Sequence, residues 1–233
     1  MYRERLKENL PQVRERIERA LERSGRRHAV RVVAVTKGHP VDAVRDAAGA
    51  GLHDVGENRV QELDAKRTEL EGSDVTVTWH LIGHLQRNKA RRAVQLFDRI
   101  HSIDSLRLAR ELSAEAARAG ITVRGLVQVN VSGEQSKGGF DADRAVEEIR
   151  QVAALPSIEC EGLMTMAPLT DDEAVVRATF AGARALLERC IAEGAGLSGA
   201  ELSMGMSGDF EIAVEEGSTM LRLGTILFGE RTQ

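Results

Sequence analysis

Aromatic side chains are scarce in this chain: one Trp, one Tyr and five Phe make up 3% of its 233 residues. Surfaces on which nucleic-acid bases stack are built from such residues, so none is expected. Cysteine is rarer still, and Cys160 and Cys190 are too few for a disulfide framework and lack metal-ligand spacing. No apolar run approaches the roughly 18 residues that a membrane span requires. The opening segment, MYRERLKENL, is charged throughout, so neither a signal peptide nor a membrane anchor is expected. No charge sign dominates: 32 basic residues against 36 acidic ones give a net charge of −4. That balance supports neither a grip on nucleic acid nor a polybasic membrane contact. GxSxG, HExxH and P-loop patterns are missing, and RVVAVTKGHP contains no GxGxxG. Hydrolase, protease, NTPase and dinucleotide-binding readings therefore lack support. Only four prolines occur, and no low-complexity linker interrupts the chain. The 42% of hydrophobic residues is enough for one sizeable core. A single cytoplasmic domain spanning 1–233 is expected, and, with no exposed apolar stripe in the pattern, a monomer.

What is present alternates. Leu6, Leu10, Val13, Ile17 and Leu21 recur at intervals of 4, 3, 4 and 4, the stripe of an amphipathic helix. Pro11 lacks a backbone donor and predicts a kink or a helix start nearby. Strand-like apolar segments then fall at 30–36, 52–56, 75–82, 99–103, 125–131, 158–166, 201–206 and 220–227, with helical patterns between them. TDDE at 170–173 reads as a capping box opening a helix whose stripe is Val176, Phe180, Ala183, Leu187 and Ile191. Ser105 and Gly120 suit the N-cap and the C′ position of another helix. Eight strands alternating with helices predict an α/β fold, a parallel (β/α)8 TIM barrel. The sequence ends soon after the eighth candidate, so no final helix is expected, and the N-terminal helix is expected to cover that position.

Chemistry in such barrels sits at the carboxyl ends of the strands, with phosphate often held after strands seven and eight. Lys37 shares the alternation of Val33 and Val35, which would deliver its amine to the barrel mouth. A partly desolvated amine can form a Schiff base with a carbonyl; otherwise Lys37 is a solvated lysine at a strand end. Ser207 in SMGMSGDF is placed to cap a helix over 209–216, with Gly205 and Gly208 allowing close backbone approach, a combination that suits an anion. Gly224 and Thr225 of RLGT supply a second donor-rich edge, and the two edges together favour a phosphate site. Arg222, two residues before Gly224, faces the same side and needs an acceptor, either a ligand or an acid on a neighbouring strand. Further candidates are Glu57 and Asn58, then His80, Gln86, Asn88 and Lys89, and Asn130 with Ser136 and Lys137. His80 and His84 straddle a strand–loop junction, so no metal site is expected. Met164, Met166, Met204 and Met206 read as barrel filling, with side chains free to line a flat ring.

The motifs AVTKGHP, HDVGENRVQE, WHLIGHLQRNK, VNVSGEQSKGGF, EGLMTM, LSMGMSGDF and GSTMLRLGTILFG resemble the pyridoxal phosphate homeostasis family. These are the YggS/PROSC-type relatives of the alanine racemase barrel, and the likeness runs from about residue 5 to 230. The resemblance implies a fold-type III barrel that holds pyridoxal 5′-phosphate (PLP) as a lysine aldimine. By that likeness Lys37 would be the Schiff-base lysine and Asn58 a neighbour of the cofactor. Ser207, Gly224 and Thr225 would cradle the phosphate, and Arg222 would partner the pyridine nitrogen. Ser203, His80 and Lys137 lie in family motifs and would support or gate the site.

An arginine at the pyridine nitrogen disfavours its protonation and so weakens the ring as an electron sink. Racemisation in the related barrels needs a second base, a tyrosine from an added domain that this chain is too short to carry. The only tyrosine here is Tyr2. The sequence therefore points to a PLP carrier taking part in intracellular PLP homeostasis without a reaction of its own, with PLP-dependent apoenzymes as recipients. The alternative is a racemase-like PLP enzyme acting on a small amino acid with Lys37 as sole base. A third reading is an aldolase-like barrel with a substrate iminium at Lys37 and a sugar phosphate in the anion site. A plain interaction module would leave the lysine, the phosphate edges and the buried arginine unexplained.

Overall fold

The structure is a computed structural model that describes residues 1–134 and 138–230. Helix α1 (Tyr2–Ser24) comes first, followed by β1 (Arg31–Val35), α2 (Val41–Gly49), β2 (Asp54–Glu57), α3 (Val60–Leu70) and β3 (Thr78–Leu81). A single 3-10 turn leads into α4 (Ala90–Leu96), then β4 (Arg99–Ile103), α5 (Leu106–Ala119) and β5 (Val123–Asn130). After β6 (Phe140–Asp141) come α6 (Ala145–Ala153), β7 (Ile158–Met164), α7 (Glu173–Ala192) and β8 (Glu201–Ser203). The last elements are α8 (Phe210–Glu215), β9 (Met220–Leu223) and α9 (Thr225–Phe228).

Eight parallel strands close into a barrel in the order β1-β2-β3-β4-β5-β7-β8-β9, with β9 returning to β1. This is the expected TIM barrel. The two-residue β6 pairs only with the end of β5. All eight strand candidates are present. Several stop short at their carboxyl ends because Met166, Met206 and their neighbours leave the ladder to line a cavity.

Alternation sorts the side chains. Ala34 belongs to the large core between barrel and helices, whereas Val33 and Val35 point to the other side. Leu126, Met164 and Met220 form a separate small cluster from three strands that are not all neighbours, which places them inside the barrel. One backbone position there admits only glycine. Gly162 has φ 153°, and a Cβ on it would sit 1.9 Å from the Glu201 carbonyl oxygen of the adjacent strand.

Helix α1 packs on α2, α8 and α9, covering the seam at β9 as expected. A final helix nevertheless exists, the single turn α9. Helix α1 runs unbroken through Pro11, which faces solvent, and its buried stripe ends on Ala20 with Leu21 only half-buried. Two capping expectations fare differently. Ser105 Oγ accepts from the Leu108 amide and Gly120 is left-handed at φ 67°, as expected. Helix α7, however, is capped by Asp172, whose Oδ1 accepts from Ala174 and Val175, and Thr170 accepts only from the Asp172 amide. Ile191 is 51% exposed, so Cys190 ends the buried face instead.

Candidate functional site

Strand β1 delivers Val35 to the barrel mouth, and the chain then turns. The His39 amide donates to the Thr36 carbonyl at 3.0 Å, leaving Lys37 half-buried at the rim. The turn is pinned from behind by side chains of β2 and α3. Lys66 Nζ donates to the Thr36 carbonyl at 2.8 Å and to Glu57 Oε1 at 2.5 Å. Glu57 also accepts from the Thr36 hydroxyl, and Glu62 accepts from the Gly38 amide. Glu57 is fully buried, and burial pushes its carboxyl above the ordinary range, against the pull of Lys66 and the Thr36 hydrogen bond.

Lys37 lines a cavity of about 770 Å³ at the carboxyl ends of the strands. That lies within the range of roughly 300–1,000 Å³ common for small-molecule sites. Asn58, Ser207, Arg222, Gly224 and Thr225 line the same cavity, so all six sequence-derived candidates meet in one place. Asn58 follows directly on β2 and is held by a close approach. A Cβ on Gly83 would lie 2.5 Å from the Asn58 carbonyl oxygen, so only glycine lets the two backbones touch.

Ser207 is not the cap of α8, contrary to expectation. That helix begins at Phe210, after Asp209, whose Oδ1 accepts from the Met206 amide and shapes the turn. Ser207 Oγ reaches instead to α9 and accepts from the Ile226 amide at 3.3 Å. The two donor-rich edges predicted separately are thus tied together, and the first amides of α9 have no partner within the helix. Gly205 (φ 93°) needs its glycine, because a Cβ would meet Ala213 at 2.6 Å; Gly208 stands in open space.

Arg222 is 4% exposed on β9. Its Nη1 donates to the Ser203 carbonyl at 2.9 Å and to Ser203 Oγ at 2.7 Å, and its Nη2 donates to the Thr165 carbonyl at 3.0 Å. No carboxylate among the described residues forms an ion pair with it, which removes the paired-acid reading. Desolvation pushes it down to about 10, so it stays charged at neutral pH. Five donors less these three bonds leave the Nε hydrogen and one Nη2 hydrogen for a ligand.

Other expectations moved. Asn130 organises its own loop, donating to the Glu134 carbonyl and accepting from Ser132 and Gly133, and does not line the cavity. Gln86 and Lys89 line a smaller adjoining hollow, and Asn88 lines another, shared with His84 and Asp104. His80 is buried deeper in the barrel, and Ser136 and Lys137 fall outside the described residues. Residues missed from the sequence are Asp104 and Gln128, on the cavity wall together with His84, which the sequence brings up only as a metal ligand. His84 Nδ1 lies 2.9 Å from Asp104 Oδ2. Asp104 follows β4 directly, the very position that the carboxyl-end rule singles out. Tyr2 packs edge-on against His39 and Phe228, with its hydroxyl 3.2 Å from His39 Nδ1, and lies behind the Lys37 turn rather than on the cavity wall. Among the described residues no group of metal-ligating side chains is assembled, and no helix is long and apolar enough to cross a membrane.

Comparisons with known proteins bear on the family and the fold. The family model for the alanine racemase N-terminal domain matches residues 4–232. A pyridoxal phosphate homeostasis protein of Aquifex aeolicus is 39% identical over 96% of this chain and 97% of its own. The structure of PipY from Synechococcus elongatus with PLP bound is 42% identical, with a TM-score of 0.81 over 91% of this chain and all of that one. Alanine racemase of Clostridium difficile, 18% identical, shares the barrel at a TM-score of 0.73 over 97% of this chain and 57% of its own. With a near full-length match at this identity and the same barrel, the chain belongs to the pyridoxal phosphate homeostasis protein family.

Proposed function

We propose that this protein binds PLP in the 770 Å³ cavity and serves PLP homeostasis as a carrier, without a catalytic reaction of its own. The observation that carries the reading is the meeting of Lys37 with the donor-only Arg222 on one cavity wall. Lys37 Nζ would join the cofactor's aldehyde carbon through a C=N bond, releasing one water. Ser207, Gly224 and Thr225, linked through the Ser207–Ile226 bond, would hold the phosphate, and Asn58 would flank the ring. Bound PLP offers an electron sink for bonds broken at a substrate's α-carbon. Arg222 would work against that use, because a guanidinium donates and cannot accept a proton, so a ring nitrogen paired with it would stay neutral. Two unpaired, buried cysteines suit the reducing cytoplasm, the proposed location.

The non-catalytic part is tested by incubating the PLP-loaded protein with each common amino acid in deuterated water and following the α-proton by NMR. No exchange above free PLP is expected. Exchange that disappears in Lys37→Ala would overturn it and favour the racemase-like alternative. The carrier part predicts that loaded protein activates an equimolar PLP-dependent apoenzyme faster than PLP dissociates unaided; activation at the unaided rate would refute it.

A further inference from the structure

Behind Arg222 a line of polar side chains runs through the barrel to its opposite end. Ser203 Oγ lies 3.0 Å from His101 Nδ1, His101 Nε2 lies 2.8 Å from His80 Nδ1, and His80 Nε2 lies 2.8 Å from Asp54 Oδ1. Ser203, His101 and His80 have no solvent exposure at all. Asp54 is the first residue of β2, at the amino-terminal end of the barrel, and its side chain is 22% exposed. The layer of Leu126, Met164 and Met220 shows that this barrel can be filled with apolar side chains. A buried polar chain brings no stability advantage over such filling, which makes a role in the site the better explanation.

The two ends dictate which way every hydrogen bond points. Arg222 can only donate, so Ser203 Oγ accepts from it, and the serine hydroxyl hydrogen is free to donate to His101 Nδ1. His101 then carries its proton on Nε2 and donates to His80 Nδ1. His80 likewise carries its proton on Nε2 and donates to the acceptor-only carboxylate of Asp54. The reverse direction would place an imidazolium between His101 and Asp54 in the barrel interior. Burial lowers the affinity of both rings for a second proton, most strongly for His101. The neighbouring guanidinium groups of Arg31 and Arg99 add positive charge that also disfavours a second proton on either ring. Arg31 lies 3.9 Å from Asp54 and 3.5 Å from Glu201, and Arg99 lies 2.7 Å from Glu161. At the pocket end Asp209 is the carboxylate whose charge acts on Arg222.

We propose that Asp54, His80, His101 and Ser203 form a one-directional hydrogen-bond chain, anchored by a carboxylate at the far end of the barrel, that positions Arg222 for its ligand. These four are positioning residues: none lines the cavity. The effect on a ligand rests on the PLP-binding reading above, while the direction of the chain does not.

The test begins on the ligand-free protein, with long-range proton–nitrogen correlation spectra of imidazole-labelled material. Both His80 and His101 should be neutral Nε2–H tautomers at neutral pH. In Asp54→Asn, whose carboxamide can donate as well as accept, the signals of both rings should change together, although His101 does not touch residue 54. A wild-type Nδ1–H tautomer or imidazolium at either ring would overturn the proposal, and so would a change confined to His80. In the PLP arm, Ser203→Ala should weaken PLP retention on the order of tenfold, the scale of one hydrogen bond to a charged group. It should also move the pH midpoint of the PLP absorption band, and Ser203→Thr, which keeps the hydroxyl, should restore both. Unchanged affinity and midpoint in Ser203→Ala would refute the positioning role. Should wild-type protein take up no PLP, the function proposed above fails, while the imidazole spectra still decide the chain.

Discussion

Lys66→Met strikes the clamp behind the Lys37 turn, and the structure sets the size of the effect. Lys66 and Glu57 have side-chain exposures of 5% and 0%, and their 2.5 Å contact is the shorter of two bonds made by the ammonium group. The second Glu57 oxygen is buried with no partner among the described residues. Removing one member of such a pair strands a charge, at a cost of about 3–5 kcal/mol. For a chain of this size that lowers Tm by about 2–4 °C per kcal/mol. The pH dependence has a definite sign. Burial already raises the Glu57 carboxyl in the folded state, and loss of Lys66 raises it further. The folded variant therefore binds a proton that the unfolded chain lacks, so its stability is greatest at low pH and falls as pH rises through the folded value. Urea unfolding of both proteins across a pH series running down from pH 8 should show the gap narrowing toward acid, by up to about 1.4 kcal/mol per pH unit. Glu57→Leu combined with Lys66→Met should recover most of the loss. A gap below about 1 kcal/mol at pH 8, or one that widens toward acid, would refute the reasoning.

Two further predictions concern the frame and its thiols. Gly162→Ala forces a Cβ into the Glu201 backbone and should cost more than about 4 kcal/mol, seen as insoluble expression or a collapsed Tm; an unchanged Tm would mean that β7 and β8 lie farther apart. Burial pushes the Cys160 thiol up to about 12 and raises Cys190 as well, so neither should react with iodoacetamide at pH 7.5 until the protein unfolds. Rapid alkylation of native protein would contradict that.

The barrel was legible because each strand is a short apolar run between helical patterns, a signal local to a few residues. Its limits were less so. Met166 and Met206 extend the apolar runs, so the sequence did not show that they leave the strand ladder for the cavity wall. The six cavity candidates could be read because each lies at or just beyond the carboxyl end of a strand in a motif, and the alternation of Val33 and Val35 pointed to Lys37 although the chain turns after Val35. Ser207 was misread in detail: a serine before a helix suggests a cap, but Asp209 forms the turn and Ser207 is drawn to the amide of Ile226. The chain from Asp54 to Arg222 was legible only in pieces: Arg222 as a cavity candidate, and Ser203 and His80 as supporting residues by resemblance, but not their connection. Its members come from five strands, and their alignment depends on how those strands are staggered around the barrel. His101 gave one faint signal, a histidine inside the apolar segment RIHSI.

The central claim is that Lys37 holds PLP covalently in this cavity, and one experiment meets it directly. PLP is added to wild-type protein and to Lys37→Ala, absorption spectra are recorded, and both samples are reduced with borohydride and mapped by peptide mass. The account predicts a near-ultraviolet or visible band in the wild type distinct from that of free PLP, fixed by reduction onto the peptide containing Lys37 and missing from the variant. A band that survives in Lys37→Ala, a label on another lysine, or a wild-type protein that stays colourless with PLP would contradict it.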